Sequence, residues 1–238
     1  MAKHRIGVLA ALLLALSTVV LADVPSRPAT PQELAAIRKI IGAVDMTFDH
    51  FANSDWQQKS ASKHTDFDVA KQADRPINFA MQADRDFGIR PGSALFNAKV
   101  KPIADQLQHI TDFGKAAELA KQIDGKTEFR VEAEANVFVA GANDSDFAHD
   151  LGAKGAAFSF CDRGEQLDCF IVFGEPSRWK PRSEGGRAFA YAHPKGSPYV
   201  ENLVIRFHAK SPTGMAADRV HELIRTTDWA PISNALTR

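Results

Sequence analysis

The chain has 238 residues, and its 29 lysines and arginines are balanced by 29 acidic residues. This balance argues against a protein that binds nucleic acid or another polyanion through bulk positive charge. Hydrophobic residues make up 45% of the chain, which is enough for a substantial core in a protein of this length.

The N-terminus has the pattern of a secretory signal peptide. Lys3 and Arg5 precede an apolar run over residues 6–22, which ends in small residues at Ala22. We expect cleavage after Ala22. The alternative is an uncleaved anchor helix, but a run of about 17 residues is at the short limit for spanning a bilayer.

Cleavage would leave residues 23–238 as a soluble chain in the periplasm or outside the cell. The removed segment carries two basic residues and no acidic one, so 27 basic residues would face 29 acidic ones, a net charge of −2. No later segment is long and apolar enough to predict a transmembrane helix.

The first half of the chain has a helical pattern, which is clearest after Thr30. Thr30 as N-cap, Pro31 at the first helical position and Glu33 three residues after the cap form a capping box. Apolar residues then recur at three- and four-residue spacing. They are Leu34, Ile37, Ile41, Val44, Phe48 and Phe51.

Shorter helical patterns continue as far as Gly125. Ile103 and Leu107 mark one helix, and Leu119 and Ile123 mark another, which ends at the Asp-Gly pair of residues 124–125.

After residue 125 the apolar period changes from about 3.6 to two. In "FRVEAEANVFVA" (residues 129–140) apolar and polar residues alternate, which predicts a strand with one face on a core. Further strands are predicted over residues 156–162, 167–173, 187–192 and 199–209. A final helix is predicted within residues 211–229, with Ala216, Val220, Leu223 and Ile224 as its inner stripe.

These patterns predict an α+β fold. A helical N-terminal half (residues 30–125) would pack on a C-terminal antiparallel meander of about five strands (residues 126–238) that includes the final α-helix. We interpret residues 23–238 as a single domain.

The two cysteines, Cys161 and Cys169, flank a predicted hairpin turn. In an exported protein with only two cysteines, both close in sequence, a disulfide is the favoured interpretation. One register of the hairpin places Cys161 opposite Cys169. The other uses Gly164 and Glu165 as a two-residue turn and gathers the apolar residues on one face, but it separates the sulfurs.

The segment "GEPSRWKPRSEGGRAF" (residues 174–189) is the strongest functional hint in the sequence. Arginine offers a planar fork for a carboxylate or phosphate, and tryptophan offers a flat apolar face. The predicted binding residues for a small anionic ligand or surface are Arg178, Trp179, Lys180, Arg182 and Arg187. The alternative is a solvated connection whose tryptophan packs on the sheet.

Neither a metal site nor a cofactor is predicted. His64, Asp66 and Asp68 alternate, but the same stretch fits a helix cap. The acidic stretch at residues 142–150 lacks the residue order of a calcium loop. His193 and His208 are candidate general bases, although no nucleophile or carboxylate is fixed beside either in the sequence.

The sequence therefore favours an exported binding or accessory protein of the envelope, with an envelope partner or a small anionic ligand, over an enzyme. The first alternative is an exported hydrolase, which a pocket with His193 or His208 within hydrogen-bond reach of a carboxylate would favour. The second is a protein-interaction or inhibitor module, which a protruding hairpin tip at residues 163–166 without a pocket would favour.

Overall fold

The computed structural model describes residues 26–62, 68–70, 74–77, 82–141, 150–162 and 164–237. Within these residues the helices are α1 (Pro31–Asp49), α2 (Lys101–His109), α3 (Phe113–Ala120), α4 (Met215–Thr226) and α5 (Ala230–Ala235). The strands are β1 (Ser26–Pro28), β2 (Trp56–Ala61), β3 (Asp68–Ala70), β4 (Gln82–Ile89), β5 (Glu128–Ala135), β6 (Val139–Ala140), β7 (Phe158–Cys161), β8 (Leu167–Phe173), β9 (Trp179–Pro181), β10 (Arg187–Phe189) and β11 (Leu203–Ala209). No helix of the described part is both long and apolar enough to cross a membrane.

A six-stranded antiparallel sheet in the order β2-β4-β5-β11-β8-β7 dominates the structure. A three-stranded antiparallel sheet, β6-β10-β9, and the short pair β1-β3 complete the strands of the described residues. The helices are distributed along the chain rather than gathered in one half.

The predicted helical N-terminal half, residues 30–125, is wrong. Two strands of the main sheet, β2 and β4, come from this half. The predicted C-terminal meander is wrong as well, because β11 inserts between β5 and β8 instead of following the strands that precede it in the sequence.

Strand β4 escaped the sequence analysis because a charged residue occupies one of its core positions. Arg85 points to the same side as Phe87 and Ile89 and is only 8% exposed. Its guanidinium pairs with Asp45 and Asp49 of α1, both at 2.5 Å, which offsets much of the cost of burying the charge. The alternation of β4 is therefore complete in the structure but incomplete in a hydropathy pattern.

Helix α1 begins as predicted. The Thr30 side chain accepts a hydrogen bond from the Glu33 N–H at 3.3 Å, and the Glu33 carboxylate accepts one from the Thr30 N–H at 2.7 Å. Arg27 of β1 binds the same carboxylate with two nitrogens, at 2.8 and 2.9 Å. These contacts hold the pKa of Glu33 at about 2, well below its ordinary 4.5, with the Arg27 hydrogen bonds as the main cause.

The predicted inner stripe of the C-terminal helix is confirmed. Ala216, Val220, Leu223 and Ile224 of α4 are all buried. They pack with α1, α5 and the inner face of the main sheet in one large cluster. Phe51 lies within it, with ring centroids 5.1 Å from Phe48, 5.7 Å from Phe207 and 6.0 Å from Trp229.

A second, smaller core lies on the outer face of the main sheet, at its β11-β8-β7 end. The three-stranded sheet covers this end. The buried members of the cluster are Ala140, Phe160, Val172, Trp179, Phe189 and Val204.

The second core explains the hairpin register. Cys161 lies opposite Cys169 and Phe160 opposite Phe170, and Cys161 and Cys169 form a disulfide. The alternative register, which would gather every apolar residue on one face, is not adopted. In the observed register Phe160 and Val172 point outward and are buried in the second core.

Candidate functional site

The segment predicted to bind an anion, residues 174–189, lies over the second core on the outer face of the main sheet. This segment is called the cover below, and the second core is called the outer core. Gly174 ends β8 at a φ of +124°, where a Cβ would lie 2.9 Å from the Phe189 ring. A 3-10 turn, Pro176–Arg178, follows and leads directly into β9. The close approach at Gly174 lets this turn fold back over the sheet.

Three of the five predicted binding residues make structural contacts in this cover. Trp179 is 2% exposed and packs edge-on against Phe189, with ring centroids 4.9 Å apart. The Arg187 guanidinium lies 4.6 Å above the Phe158 ring. Arg182 pairs with Glu184 in the exposed turn between β9 and β10, while Lys180 is exposed.

Arg178 borders a cavity of about 410 Å³. The walls are formed by the turn after β8, the loop before β7 and the C-terminal end of the described chain. Ser233 and Thr237 line the cavity together with Gly155, Ala156, Ala157 and Glu201. The Arg178 side chain is 36% exposed, so the cavity encloses it in part.

Two carboxylates line this cavity, the exposed Glu175 and the buried Glu201, and the oxygens of Glu201 are already hydrogen-bonded. The Glu201 side chain is 3% exposed and accepts hydrogen bonds from the backbone N–H groups of Ala192, at 2.7 Å, and His193, at 3.0 Å. Arg178 Nη1 lies 3.8 Å from Glu201 Oε2 and donates instead to the Ala190 carbonyl at 3.2 Å. The Arg178 guanidinium is therefore not committed to Glu201.

His193, a predicted general base, lies beside the same carboxylate. Its Nδ1 is 3.2 Å from Glu201 Oε1, but the contact lacks hydrogen-bond geometry. The imidazole packs against the Tyr199 ring at a tilt of 37°, with centroids 4.0 Å apart. Nearby, burial raises the pKa of Tyr191 to about 12, so its hydroxyl stays protonated and donates to the Asn136 carbonyl at 2.6 Å.

His208, the other predicted base, forms a hydrogen-bonded pair with a carboxylate. Its Nδ1 lies 3.1 Å from Asp168 Oδ1, because β11 and β8 place these two residues directly opposite each other. Arg206 also binds Asp168, with Nη2 at 2.6 Å.

This pair belongs to a charged row across the outer face of the main sheet. Asp168, His208, Arg130 and Asp86 follow one another on β8, β11, β5 and β4. A cavity of about 600 Å³ lies where this row meets the chain after α3, and His208, Arg130 and Asp86 line it together with Asp124 and Lys210.

Sequence patterns did not identify Asp168 or Glu201 as partners of these histidines. Strand pairing brings Asp168 to His208, and the chain between β10 and β11 brings Glu201 to His193. A signal was present for Glu201, since residues 201–202 are two polar residues between the apolar Val200 and Leu203. A polar pair inside an apolar run indicates buried groups with dedicated partners.

Two further sequence predictions fall wholly or partly outside the described residues. His64 and Asp66 lie outside the described residues, as does most of the acidic stretch at residues 142–150. At the hairpin tip, Arg163 lies outside the described residues, and Gly164, Glu165 and Gln166 are exposed. The described residues also form cavities, so the feature expected of an interaction module, a protruding tip without a pocket, is not observed.

No protein-family model, curated protein or solved structure matches the chain.

Proposed function

We propose that the protein is an extracytoplasmic binding protein for a small anion, held in the cavity that Arg178 borders. Export is supported by the signal-type N-terminal sequence and by the disulfide between Cys161 and Cys169, because such bonds persist in oxidising compartments.

The position of Arg178 carries the binding proposal. The oxygens of the neighbouring carboxylate, Glu201, are already hydrogen-bonded by two backbone N–H groups, so Arg178 retains N–H donors for another partner. Within the described chain, its contacts with Glu201 and Ala190 both use Nη1, while a guanidinium has five N–H donors. The hydroxyls of Ser233 and Thr237 on the cavity wall add further donors for an oxyanion.

The size and partial enclosure of the cavity fit a small ligand. A volume of about 410 Å³ lies at the lower end of the range for small-molecule sites. A charge-assisted hydrogen bond is worth roughly 1.5–3 kcal/mol when it is shielded and much less when it is exposed. Because the cavity partly encloses Arg178, a hydrogen bond from Arg178 to an anion would contribute more binding free energy than one from a fully exposed arginine.

The test compares two arginines of the same segment. Calorimetric titration with inorganic phosphate and with a small dicarboxylate, at low ionic strength, would be done on the wild type, Arg178→Gln and Arg182→Gln. We expect the first variant to bind about 10- to 150-fold more weakly, which corresponds to the loss of roughly 1.5–3 kcal/mol. The second should bind like the wild type, because Arg182 pairs with Glu184 in an exposed turn.

Equal losses in both variants would indicate binding by general positive charge and not by this cavity. Unchanged binding in Arg178→Gln would reject the proposed site.

A second candidate function, hydrolysis, is favoured by the His208–Asp168 pair beside the cavity of about 600 Å³. Asp168 would orient the imidazole through Nδ1, and Nε2 would accept a proton from an attacking water. Arg130 on the neighbouring strand would stabilise the negative charge that develops.

This second function predicts that chromogenic ester or phosphate substrates are cleaved by the wild type, and that His208→Ala lowers the rate by about 100- to 10,000-fold. Arg178→Gln should leave the rate unchanged. If cleavage is absent in the wild type, or survives intact in His208→Ala, the hydrolase function is rejected and the binding function is unaffected.

A further inference from the structure

A histidine lies against the disulfide, on the inner side of the main sheet. His221 of α4 places Nε2 3.7 Å from Cys161 Sγ. The ligand atoms of Cys161, Cys169 and His221 all lie within 4.8 Å of one another. Cys169 is buried and the other two residues are half-buried, so the cluster is partly accessible to solvent.

The spacing of this cluster fits a tetrahedral metal ion. Zinc binds thiolate sulfur at about 2.3 Å and imidazole nitrogen at about 2.0–2.1 Å. At the tetrahedral angle two such ligands lie about 3.6 Å apart, close to the 3.7 Å between Cys161 Sγ and His221 Nε2. Because the cysteines are direct cross-strand neighbours, their sulfurs can separate by side-chain rotation alone once the bond between them is broken.

We propose that the reduced protein binds Zn²⁺ through Cys161, Cys169 and His221. Two thiolates would neutralise the charge of the ion, and sulfur and imidazole ligands favour zinc over magnesium or calcium. The fourth position would face a cavity of about 340 Å³ lined by Leu151, Asp218, His221 and Arg225. An open fourth position of this kind takes water or a ligand.

The site is gated by the redox state of the cysteines. An external dithiol reductant donates two electrons and two protons to the Cys161–Cys169 bond, which gives two thiols and leaves the reductant as its own disulfide. Binding of Zn²⁺ then releases both thiol protons, because only thiolates ligate the ion. Oxidation of the pair removes two of the three ligands, so the oxidised protein should not bind the metal.

The experiment uses Co²⁺ as a spectroscopic substitute for Zn²⁺. Full-length mature protein, reduced with a phosphine and kept anaerobic, is titrated with Co²⁺, and the thiolate-to-cobalt absorption is recorded before displacement by Zn²⁺. We expect one equivalent to bind to the reduced wild type and none to the oxidised protein. His221→Ala should bind at least about tenfold more weakly, since even loss of a group that only orients a ligand costs about 10- to 100-fold.

His109→Ala is the matched control, because His109 is an exposed histidine at the end of α2, and it should bind like the wild type. Equal affinity of His221→Ala and the wild type would overturn the proposal. Equal affinity would also result if reduction unfolded the hairpin, because the two thiols would then bind the metal without His221. That outcome would overturn the proposal as well. Absence of thiolate-to-cobalt absorption in the reduced wild type would overturn it too.

Discussion

The two ends of the outer face of the main sheet belong to one sheet but differ in the chemistry of their outward residues. At the β8-β7 end the outward residues are apolar, and a second sheet covers them. At the β4-β5 end the outward residues are charged, and they pair with one another, as Arg130 does with Asp84 and with Glu132. The covered end forms a partly enclosed cavity beside Arg178, whereas Arg130 at the other end is paired with Asp84 across the strands and with Glu132 on its own strand.

Under the proposed function, Arg178 is available for a ligand because the carboxylate beside it has other hydrogen-bond partners. Glu201 is bound by two backbone N–H groups, so Arg178 stands beside a carboxylate without being its main partner. Arg130 forms a direct ion pair with Asp84, and Arg206 forms one with Asp168. Counting charges in the sequence does not distinguish these cases.

The largest effect should come from removing the centre of the cover. Trp179→Ala creates a cavity in the outer core and should lower the free energy of unfolding by about 3–5 kcal/mol. It should also weaken anion binding, because Trp179 directly follows Arg178. Urea denaturation measures the stability.

Arg130→Ala, at the charged end, is the matched control for the tryptophan variant. Partly exposed ion pairs contribute about 0–1 kcal/mol, so its effect should be small. Similar losses in the two variants would remove the contrast between the two ends.

The disulfide should have an intermediate effect. Replacing both cysteines by alanine opens a loop of nine residues, from Cys161 to Cys169, which costs about 2.5 kcal/mol on the loop-entropy estimate. The free energy of unfolding of the double variant, compared with that of the wild type, gives the value. A loss below about 1 kcal/mol would show that the outer core holds the hairpin register without the bond.

A pH-dependent effect should come from Glu33, which is a buried carboxylate, unlike the partly exposed ion pairs of the sheet. Its pKa is lowered from 4.5 to about 2 in the folded protein, so the ionised form stabilises the fold. That contribution is complete above pH 4.5, decreases as the pH falls, and is lost as the pH passes through 2.

Glu33→Gln should therefore be less stable than the wild type at neutral pH, with a difference that narrows between pH 4.5 and 2. Denaturant midpoints measured across this range test the prediction. Asp84→Asn is the control at the charged end, and a difference for Glu33→Gln that does not change with pH would contradict the assigned cause.

Local signals in the sequence predicted the parts of the fold that depend on neighbouring residues. The capping box at Thr30, the inner stripe of α4, the alternation of β5 and the disulfide all appear in the structure. Each of them depends on residues no more than about a dozen positions apart.

The errors arose where distant residues decide the outcome. Arg85 enters the core because Asp45 and Asp49 receive it, and this made β4 unrecognisable as a strand. The order of the sheet depends on the pairing of β11 with β5 and β8. No local sequence pattern predicts this pairing. The contact of His208 with Asp168 follows from the same pairing, so the candidate site could be predicted in composition but not in geometry. The assignment of residues 23–238 to one domain stays a prediction.

The central claim, that the cavity beside Arg178 binds a small anion, is tested most directly by amide chemical-shift mapping in an anion titration at low ionic strength. We expect saturable shifts at residues that line the cavity, among them Gly155, Ala156, Ala157, Gly174, Arg178, Ser233 and Thr237. We expect no such shifts along the charged strands β4 and β5. Shifts that are linear and spread over exposed lysines and arginines, or that concentrate around Arg130, would contradict it.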